Sequence, residues 1–298
     1  MQTFSSPRGA VGQTLPMRRK LRAQGGSATE HSLNTRTPLR RLMPENPPPS
    51  TESVPWIVQS ALRAIVGSDF VIQSSARLPS RRNTVLHITG CLQSDGALRS
   101  LVAKWFRQPG IANEATVLRD AYEREVPVPR IVGTTAEVLL MEFIEGPNLC
   151  DVLTNTPSPR YGRLLGTWLA QYHTAFQRSG ELVLAKGDAR IRNFICANTN
   201  LVGVDFEESS VGSYLDDLAS ACASILDTTP IFTPAKRRVC RALLSMYAAT
   251  RLEDTPTSLV RRVSPYLIKN LKATLRRRRN PSDLAKAIGR FESGEIRI

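Results

Sequence analysis

The residues whose types and spacing could support catalysis lie in two short segments, 186–195 and 202–207. Asp188 and Asn193 are five residues apart in the first segment, a spacing that lets both side chains face one cleft. A carboxylate there can orient an attacking hydroxyl and accept its proton, and an amide oxygen can bind Mg²⁺. Asp205 ends a β-branched run, where a strand delivers a carboxylate to the same cleft. Because Mg²⁺ takes few protein carboxylates together with phosphate oxygens, these residues suit a magnesium–nucleotide site.

The elements that must hold these segments fall into two groups. In the first group, apolar and β-branched residues alternate between turn signals and predict strands at 70–75, 83–90, 100–106, 130–133 and 137–143. Helical periods precede and interrupt the strands at 54–65 and 112–125. Consecutive strands with a single main helix predict an α+β unit built on an antiparallel sheet.

The second group of elements is mainly helical. Leu165, Trp168, Leu169 and Tyr172 form one apolar stripe, which predicts a helix at 160–176. Similar patterns predict further helices at 214–226, 234–249, 258–277 and 281–291, with short strands near Phe194 and at 202–206.

The two polar segments resemble the catalytic elements of the protein-kinase-like superfamily. Asp188 with Asn193 five residues later resembles the catalytic loop, and Asp205-Phe206-Glu207 resembles the metal-binding Asp-Phe-Gly element. The Gly-Asp and Asp-Phe-Glu variants are closest in style to aminoglycoside phosphotransferases and choline kinases, followed by the small atypical kinases of the RIO-like and KEOPS-associated types. The resemblance covers residues 70–250 and implies a two-lobed fold, with a sheet lobe before a mostly helical lobe.

Upstream residues follow the same resemblance in the expected order. Lys104 resembles the strand lysine that grips the nucleotide's phosphates, and Glu114 resembles its ion-pair partner in the next helix. Glu142, Phe143 and Ile144 resemble the hinge between the lobes, whose backbone hydrogen-bonds adenine. The resemblance therefore implies ATP as a cofactor.

The resemblance also implies a role for each residue of the two catalytic segments. Asp188 is expected to be the catalytic base, and Arg190 is expected to neutralise charge on the transferring phosphoryl group. Asn193 and Asp205 are expected to bind Mg²⁺ directly. Glu207 is expected to support these ligands without binding the metal itself. Positioning and charge stabilisation of this kind suffice for phosphoryl transfer.

The implied function is an ATP-dependent phosphotransferase, a kinase with a hydroxyl acceptor. Only ten residues separate Asp205 from Asp216 and no Ala-Pro-Glu follows, which favours a small-molecule acceptor over a protein. An atypical Ser/Thr protein kinase is the second hypothesis. A catalytically degenerate nucleotide- or RNA-binding module is the third. Asp217-Leu218-Ala219 resembles the segment of aminoglycoside phosphotransferases whose Asp helps to fix the catalytic loop.

Two departures from the family pattern stand out. Residues 74–83 contain no Gly-x-Gly-x-x-Gly loop, so either this lobe binds nucleotide weakly or its polar side chains contact the phosphates, namely Arg77, Ser80, Arg81 and Arg82. Lys186 replaces the usual histidine of the His-Gly-Asp motif, which puts the packing beside Asp205 in question. His173, on a helix face, fits a packed core histidine better than a catalytic one.

Composition sets the remaining bounds. The net charge of +14 and the pI near 10.2 attract anions in general, including nucleotides, nucleic acid and acidic lipid. The arginine run 276–279 fits a solvated helix end better than a nucleic-acid site. Five cysteines without a CxxC pair argue against a disulfide framework or a zinc site and favour a reducing, cytoplasmic location. No apolar run reaches the ~18 residues that predict a membrane span.

The predicted domain layout has three parts. Residues 1–52 are rich in Ser, Pro and Arg and read as a disordered basic arm, with an organellar transit peptide as the lesser alternative. Residues 53–143 are predicted to form the kinase-like N-lobe, and residues 144–298 the helical C-lobe.

Overall fold

The computed structural model describes residues 53–108, 111–252, 255–278 and 280–298. The predicted basic arm at 1–52 and Arg279 of the arginine run lie outside the described residues.

The first half of the described chain is a five-stranded antiparallel sheet with two helices. The strands are β1 (Phe70–Leu78), β2 (Thr84–Leu92), β3 (Leu98–Trp105), β4 (Ile131–Thr134) and β5 (Val138–Glu142), and the helices are α1 (Trp56–Ile65) and α2 (Ile111–Glu123). The strand order is β1-β2-β3-β5-β4, and every pairing is antiparallel. These elements are called the sheet lobe below.

Strand alternation gives the sheet two different faces. Leu86, Ile88 and Ala103 pack with Leu62 of α1 in one apolar cluster. Because successive residues of a strand point to opposite faces, Lys104 points away from α1, towards α2 and the rest of the chain. The sheet is therefore covered on both faces, and its second face carries a polar residue.

The second half of the described chain is mostly helical and is called the helical lobe. Its helices are α3 (Leu149–Asn155), α4 (Pro159–Ala175), α5 (Tyr214–Asp227), α6 (Pro234–Arg251), α7 (Pro256–Leu275) and α8 (Ser282–Glu292). Its strands are β6 (Gln177–Ser179), β7 (Leu182–Ala185), β8 (Phe194–Ala197), β9 (Asn200–Gly203) and β10 (Ser210–Ser213), with a 3₁₀ turn at Ile191–Asn193. Strands β8 and β9 form a hairpin, and β10, β7 and β6 form a small sheet.

Side-chain caps fix where several of these helices begin. Ser158, Ser213, Thr233 and Thr255 each accept a backbone N–H from the first turn of the helix that follows. Proline follows the cap in α4, α6 and α7, where its missing N–H has no intrahelical partner to lose.

The predicted α+β, two-lobed architecture is confirmed: an antiparallel sheet lobe precedes a helical lobe. The long periodic helices and the five strands lie close to their predicted places. Helix α3 and strands β6, β7 and β10 were not predicted, because segments of three to seven residues are too short to show a period. Within the described residues, no helix is both long and apolar enough to span a bilayer.

Close packing of α4 against α6 organises the helical lobe. A methyl group added at Gly162 would lie 2.2 Å from the Val239 carbonyl oxygen, and one at Gly166 would lie 2.4 Å from that of Leu243. Both contacts are with backbone, which cannot rotate away. The two helices therefore approach through glycine positions that admit no side chain.

We expect Gly166→Val to lower the free energy of unfolding by about 2 kcal/mol or more, because the helices would have to separate. The matched control is Gly289→Ala in α8, where an added methyl group meets nothing within 4 Å. That change should raise stability by about 0.5–1 kcal/mol through the loss of unfolded-state entropy. Urea unfolding followed by circular dichroism measures both, and equal stability of the two variants would contradict the packing argument.

Candidate active site

A buried ion pair joins β3 to α2. Lys104 Nζ lies 2.7 Å from Glu114 Oε2, and both side chains are almost fully buried. Glu114 is in the first turn of α2 and Lys104 is on the sheet face that looks towards that helix, so the two meet. The sequence predicted this pair, and the structure contains it. Burial by itself would lower the pKa of Lys104, but the charges of Glu114 and Asp205 outweigh burial and raise it.

Asp205 turns the pair into a three-way contact. Its Oδ1 accepts a hydrogen bond from Lys104 Nζ at 2.8 Å, and the neighbouring Phe206 N–H donates to Glu114 Oε1 at 3.2 Å. The Asp205 backbone is left-handed (φ 63°), a conformation that aspartate tolerates better than most residues. Burial would raise the pKa of Asp205, but the charge of Lys104 lowers it below its usual range. The carboxylate is therefore ionised at neutral pH.

Three carboxylates converge at this point. Glu114, Asp205 and Glu207 each offer an oxygen, and these oxygens lie within 4.8 Å of one another. Glu207 Oε2 is 3.4 Å from Lys104 Nζ, so one ammonium group lies against all three acids. Oxygen donors of this kind fit Mg²⁺. Sequence reasoning gave Glu207 only a supporting role, whereas the structure groups it directly with Asp205.

Asn193 connects the catalytic loop to the segment before Asp205. Its Nδ2 donates to the Asp188 carbonyl at 3.0 Å, and its own carbonyl accepts the Val204 N–H at 2.9 Å. Asn193 is itself buried at the end of the 3₁₀ turn. The two segments predicted to bind metal therefore lie side by side.

Asp188 is mostly buried, and both of its carboxylate oxygens pair with guanidinium groups. Arg190 Nε lies 3.3 Å from Oδ1, and Arg192 Nη2 lies 2.9 Å from Oδ2. Sequence reasoning named Arg190 and overlooked Arg192. No local signal marked Arg192, because Asp188 lies outside any helix or strand and only the folded loop brings the two side chains together.

Lys186 is a second buried ammonium group, and its partners are backbone carbonyls. Its Nζ donates to Asp188 O at 3.2 Å, Val204 O at 2.8 Å and Asp205 O at 2.8 Å. It also lies over the ring of Phe206, 4.6 Å from the centroid. One side chain thus ties the catalytic loop to the Asp205 segment. The lysine that departs from the family pattern holds together the two segments whose packing was in question.

Asp217 holds the other end of the catalytic loop. Its carboxylate accepts the N–H groups of Lys186 at 2.6 Å and Gly187 at 3.0 Å, and it lies 3.0 Å from His173 Nε2. His173 is fully buried and its Nδ1 is 3.0 Å from the Tyr247 hydroxyl. The structure therefore has the loop-fixing aspartate that the resemblance implied, and His173 is a core residue that supports it.

Gly187 has no substitute at its position. Its φ is +80°, and an added Cβ would lie 2.3 Å from the carbonyl oxygen of Glu208. Glycine adopts this conformation without strain, so the catalytic loop can pass directly against the chain that follows Asp205.

The turn between β1 and β2 covers the acidic cluster. Asn83 Nδ2 donates to Glu207 Oε2 at 2.7 Å, and Arg82 Nη1 lies 2.7 Å from Glu208 Oε1 and 3.5 Å from Glu207 Oε1. Sequence reasoning left open whether Arg82 contacts phosphates or the lobe binds nucleotide weakly. In the structure Arg82 pairs with Glu207 and Glu208. The turn therefore contacts these carboxylates through its side chains, at the position where the family pattern has a glycine-rich loop.

The predicted hinge lies at the end of β5. The N–H of Glu142 donates to Arg130 O and that of Phe143 donates to Ser100 O, so both are engaged within the sheet lobe. The Phe143 ring stacks on His87, with centroids 3.7 Å apart. Among the described residues, the amide of Ile144 has no backbone partner. Of the three predicted hinge residues, Ile144 therefore has the free donor.

Three solved structures show what the fold is similar to. An amicoumacin kinase in complex with AMP-PNP, Ca²⁺ and Ami aligns with a TM-score of 0.58 at 12% identity, over 80% of this chain and 91% of that chain. The streptomycin–ATP–APH(2″)-IIa ternary complex aligns with a TM-score of 0.53 at 12% identity, over 81% and 97%. An ethanolamine kinase from Plasmodium vivax aligns with a TM-score of 0.53 at 12% identity, over 68% and 74%.

No family model matches the sequence, and no curated protein matches it. At 12% identity, the structural likeness establishes the fold. The predicted protein-kinase-like fold is confirmed.

We expect Lys186→Met to lower the free energy of unfolding by about 2–4 kcal/mol, because it leaves buried carbonyl groups without a donor. The matched control is Lys269→Met, since Lys269 is 73% exposed and 3.6 Å from Asp216. That change should alter stability by less than about 0.5 kcal/mol. Urea unfolding compares the two, and a loss below about 1 kcal/mol for Lys186→Met would show that the ammonium group does not hold the loops.

Proposed function

We propose that this chain is an ATP-dependent phosphotransferase that transfers the γ-phosphate of Mg-ATP to a hydroxyl group of a small molecule. The observation that carries the proposal is the contact of Lys104 with Glu114 and Asp205, at 2.7 and 2.8 Å. The contact joins a lysine on a strand, a glutamate on a helix and an aspartate suited to metal binding. Their order along the chain is the one that the family resemblance requires. The structural neighbours include complexes with AMP-PNP and ATP, which supports a nucleotide as the phosphate donor.

Each residue of the cleft has a role in the proposed reaction. Lys104 binds phosphate oxygens, and Asp205, Glu207 and Asn193 hold the metal. When bound, Mg²⁺ neutralises charge on the phosphates. Asp188 orients the acceptor hydroxyl and takes its proton. The arginines beside Asp188 supply positive charge where negative charge develops on the transferring group.

The chain after Asp205 supports a small acceptor over a protein. Strand β10 pairs with β7 and runs directly into α5, whose first residue is Tyr214. No long segment therefore separates the metal-type aspartate from the helix, and peptide docking on this fold uses such a segment. The named substrates of the structural neighbours are small molecules as well.

We expect Asp188→Asn to reduce turnover by about 10²–10⁴-fold, because the amide cannot take the hydroxyl proton. Binding of Mg-ATP should stay within about twofold, since Asp188 is assigned to the acceptor. ADP release with a panel of hydroxylated small molecules measures turnover, and titration calorimetry measures Mg-ATP binding. Asp283→Asn, on the exposed side of α8, is the control. Unchanged turnover in Asp188→Asn would remove Asp188 as the catalytic base, whereas an absence of turnover in the unsubstituted chain with every acceptor of the panel would favour a non-catalytic module.

We expect Glu207→Gln to raise the Mg²⁺ concentration that gives half-maximal activity by about tenfold, because a carboxylate beside the metal is lost. The matched control is Glu208→Gln, since Glu208 is the adjacent acid and pairs with Arg82. Manganese binding measured by electron paramagnetic resonance gives a second readout without turnover. Equal effects of the two substitutions would remove Glu207 from the metal site.

A further inference from the structure

Two positively charged side chains contact the single carboxylate of the catalytic loop. Arg190 and Arg192 both pair with the single carboxylate of Asp188, which leaves one positive charge in excess. Their side chains are 32% and 44% exposed, so both are open to a ligand from solvent.

Arg278, from the arginine run at the end of α7, pairs with an acid of α5 and neutralises its charge. Arg278 Nη2 lies 3.1 Å from Asp227 Oδ1 and 2.9 Å from the Asp227 carbonyl oxygen, at the end of α5. Burial raises the pKa of Asp227, and the charges of Arg278 and Arg190 oppose the effect of burial. In the preceding turn of α5, the Ser224 hydroxyl accepts the Ile191 N–H of the catalytic loop. Sequence reasoning read this run as a solvated helix end, whereas Arg278 lies against the helix that holds the loop.

Asp227 does not cancel the charge of the catalytic-loop arginines, because Arg278 already pairs with it. Lys236 adds a further cation beside Asp227, with its ammonium group donating to the carbonyls of Thr228 and Pro230. This side of Asp188 is therefore electropositive.

An acceptor hydroxyl has to share Asp188 with two arginines. Each carboxylate oxygen already bears one guanidinium group and has a second lone pair that can accept the hydroxyl. The guanidinium N–H groups that do not contact Asp188 can then bind an anionic group on the acceptor with good fork geometry. An ammonium group on the acceptor would instead meet like charge, which is how charged sites exclude wrong ligands.

We infer that the acceptor is an anionic, hydroxyl-bearing small molecule, a sugar acid or a sugar phosphate, bound through Arg190, Arg192 and Arg278. The inference rests on the proposed function and names its substrate class. It separates this chain from the structural neighbours named for streptomycin and ethanolamine, whose amino or guanidino groups are positively charged at neutral pH.

Four ligands that share one sugar ring test the inference: glucose, glucosamine, glucuronate and glucose 6-phosphate. With Mg-AMP-PNP saturating, calorimetry should show at least one of the two anionic sugars binding about tenfold or more tightly than glucose. Glucosamine should bind most weakly. The advantage of the anion should shrink as salt is raised, because screening weakens charge contacts at an open site. Glucuronate against glucose 6-phosphate distinguishes a carboxylate from a phosphate requirement.

A variant links the preference to the arginines. Arg278→Gln should raise the KM for the preferred anionic sugar about fivefold or more while kcat changes less than twofold, since Arg278 does not contact Asp188. Arg241→Gln, an exposed arginine of α6 in the same lobe, is the matched control and should leave both constants unchanged.

The outcomes separate the inference from the function on which it rests. Binding or phosphorylation that favours glucose or glucosamine, or that shows no preference for either anion, overturns the inference alone when Mg-ATP is bound. Failure to bind Mg-ATP at all overturns the proposed function. A preference for an anion that disappears in Arg278→Gln and persists in Arg241→Gln supports the inference.

Discussion

The cleft depends on one buried ammonium group shared by three carboxylates. Glu114, Asp205 and Glu207 would repel one another at their observed separation, and each would lose hydration without a compensating partner. Lys104 contacts all three, so a strand, a helix and the loop after β9 are held together by a single charge. The relative placement of these elements is thus an electrostatic requirement as much as a packing one. Any cation that binds there has to share the oxygens with Lys104.

A second buried ammonium group organises the floor of the cleft in a different way. Lys186 satisfies its three donors with backbone carbonyls on both sides of the cleft floor, whereas Lys104 satisfies its donors with acids. Carbonyl dipoles stabilise a cation without adding a titratable partner, so the loops are joined and the acids stay available. The Asp217 carboxylate accepts the backbone N–H groups of Lys186 and Gly187 and so fixes the same loop. Together the two lysines and Asp217 give the catalytic loop one defined conformation.

The long elements and the Lys104–Glu114 pair could be predicted from sequence because their signals are local. Alternation marks a strand, a 3.6-residue period marks a helix, and the resemblance supplied the pairing of the lysine with the glutamate. The short helix α3, the strands β6, β7 and β10, and the contact of Asn83 with Glu207 carry no such signal. Asn83 and Glu207 are far apart in the chain, so only the folded backbone shows that they meet.

By itself, the sequence determined which residue types are present, their order and the periods of the long elements. Those features singled out Asp188, Asn193 and Asp205, and the resemblance that these residues carry implied a two-lobed kinase-like fold. The tertiary structure decided which charges share a site. It placed Arg192 on Asp188, Arg278 on Asp227, and Lys186 among the carbonyls of two loops. The physical reason is that electrostatic partnership depends on distance in space and on burial, and neither quantity is written in the spacing of residues along the chain.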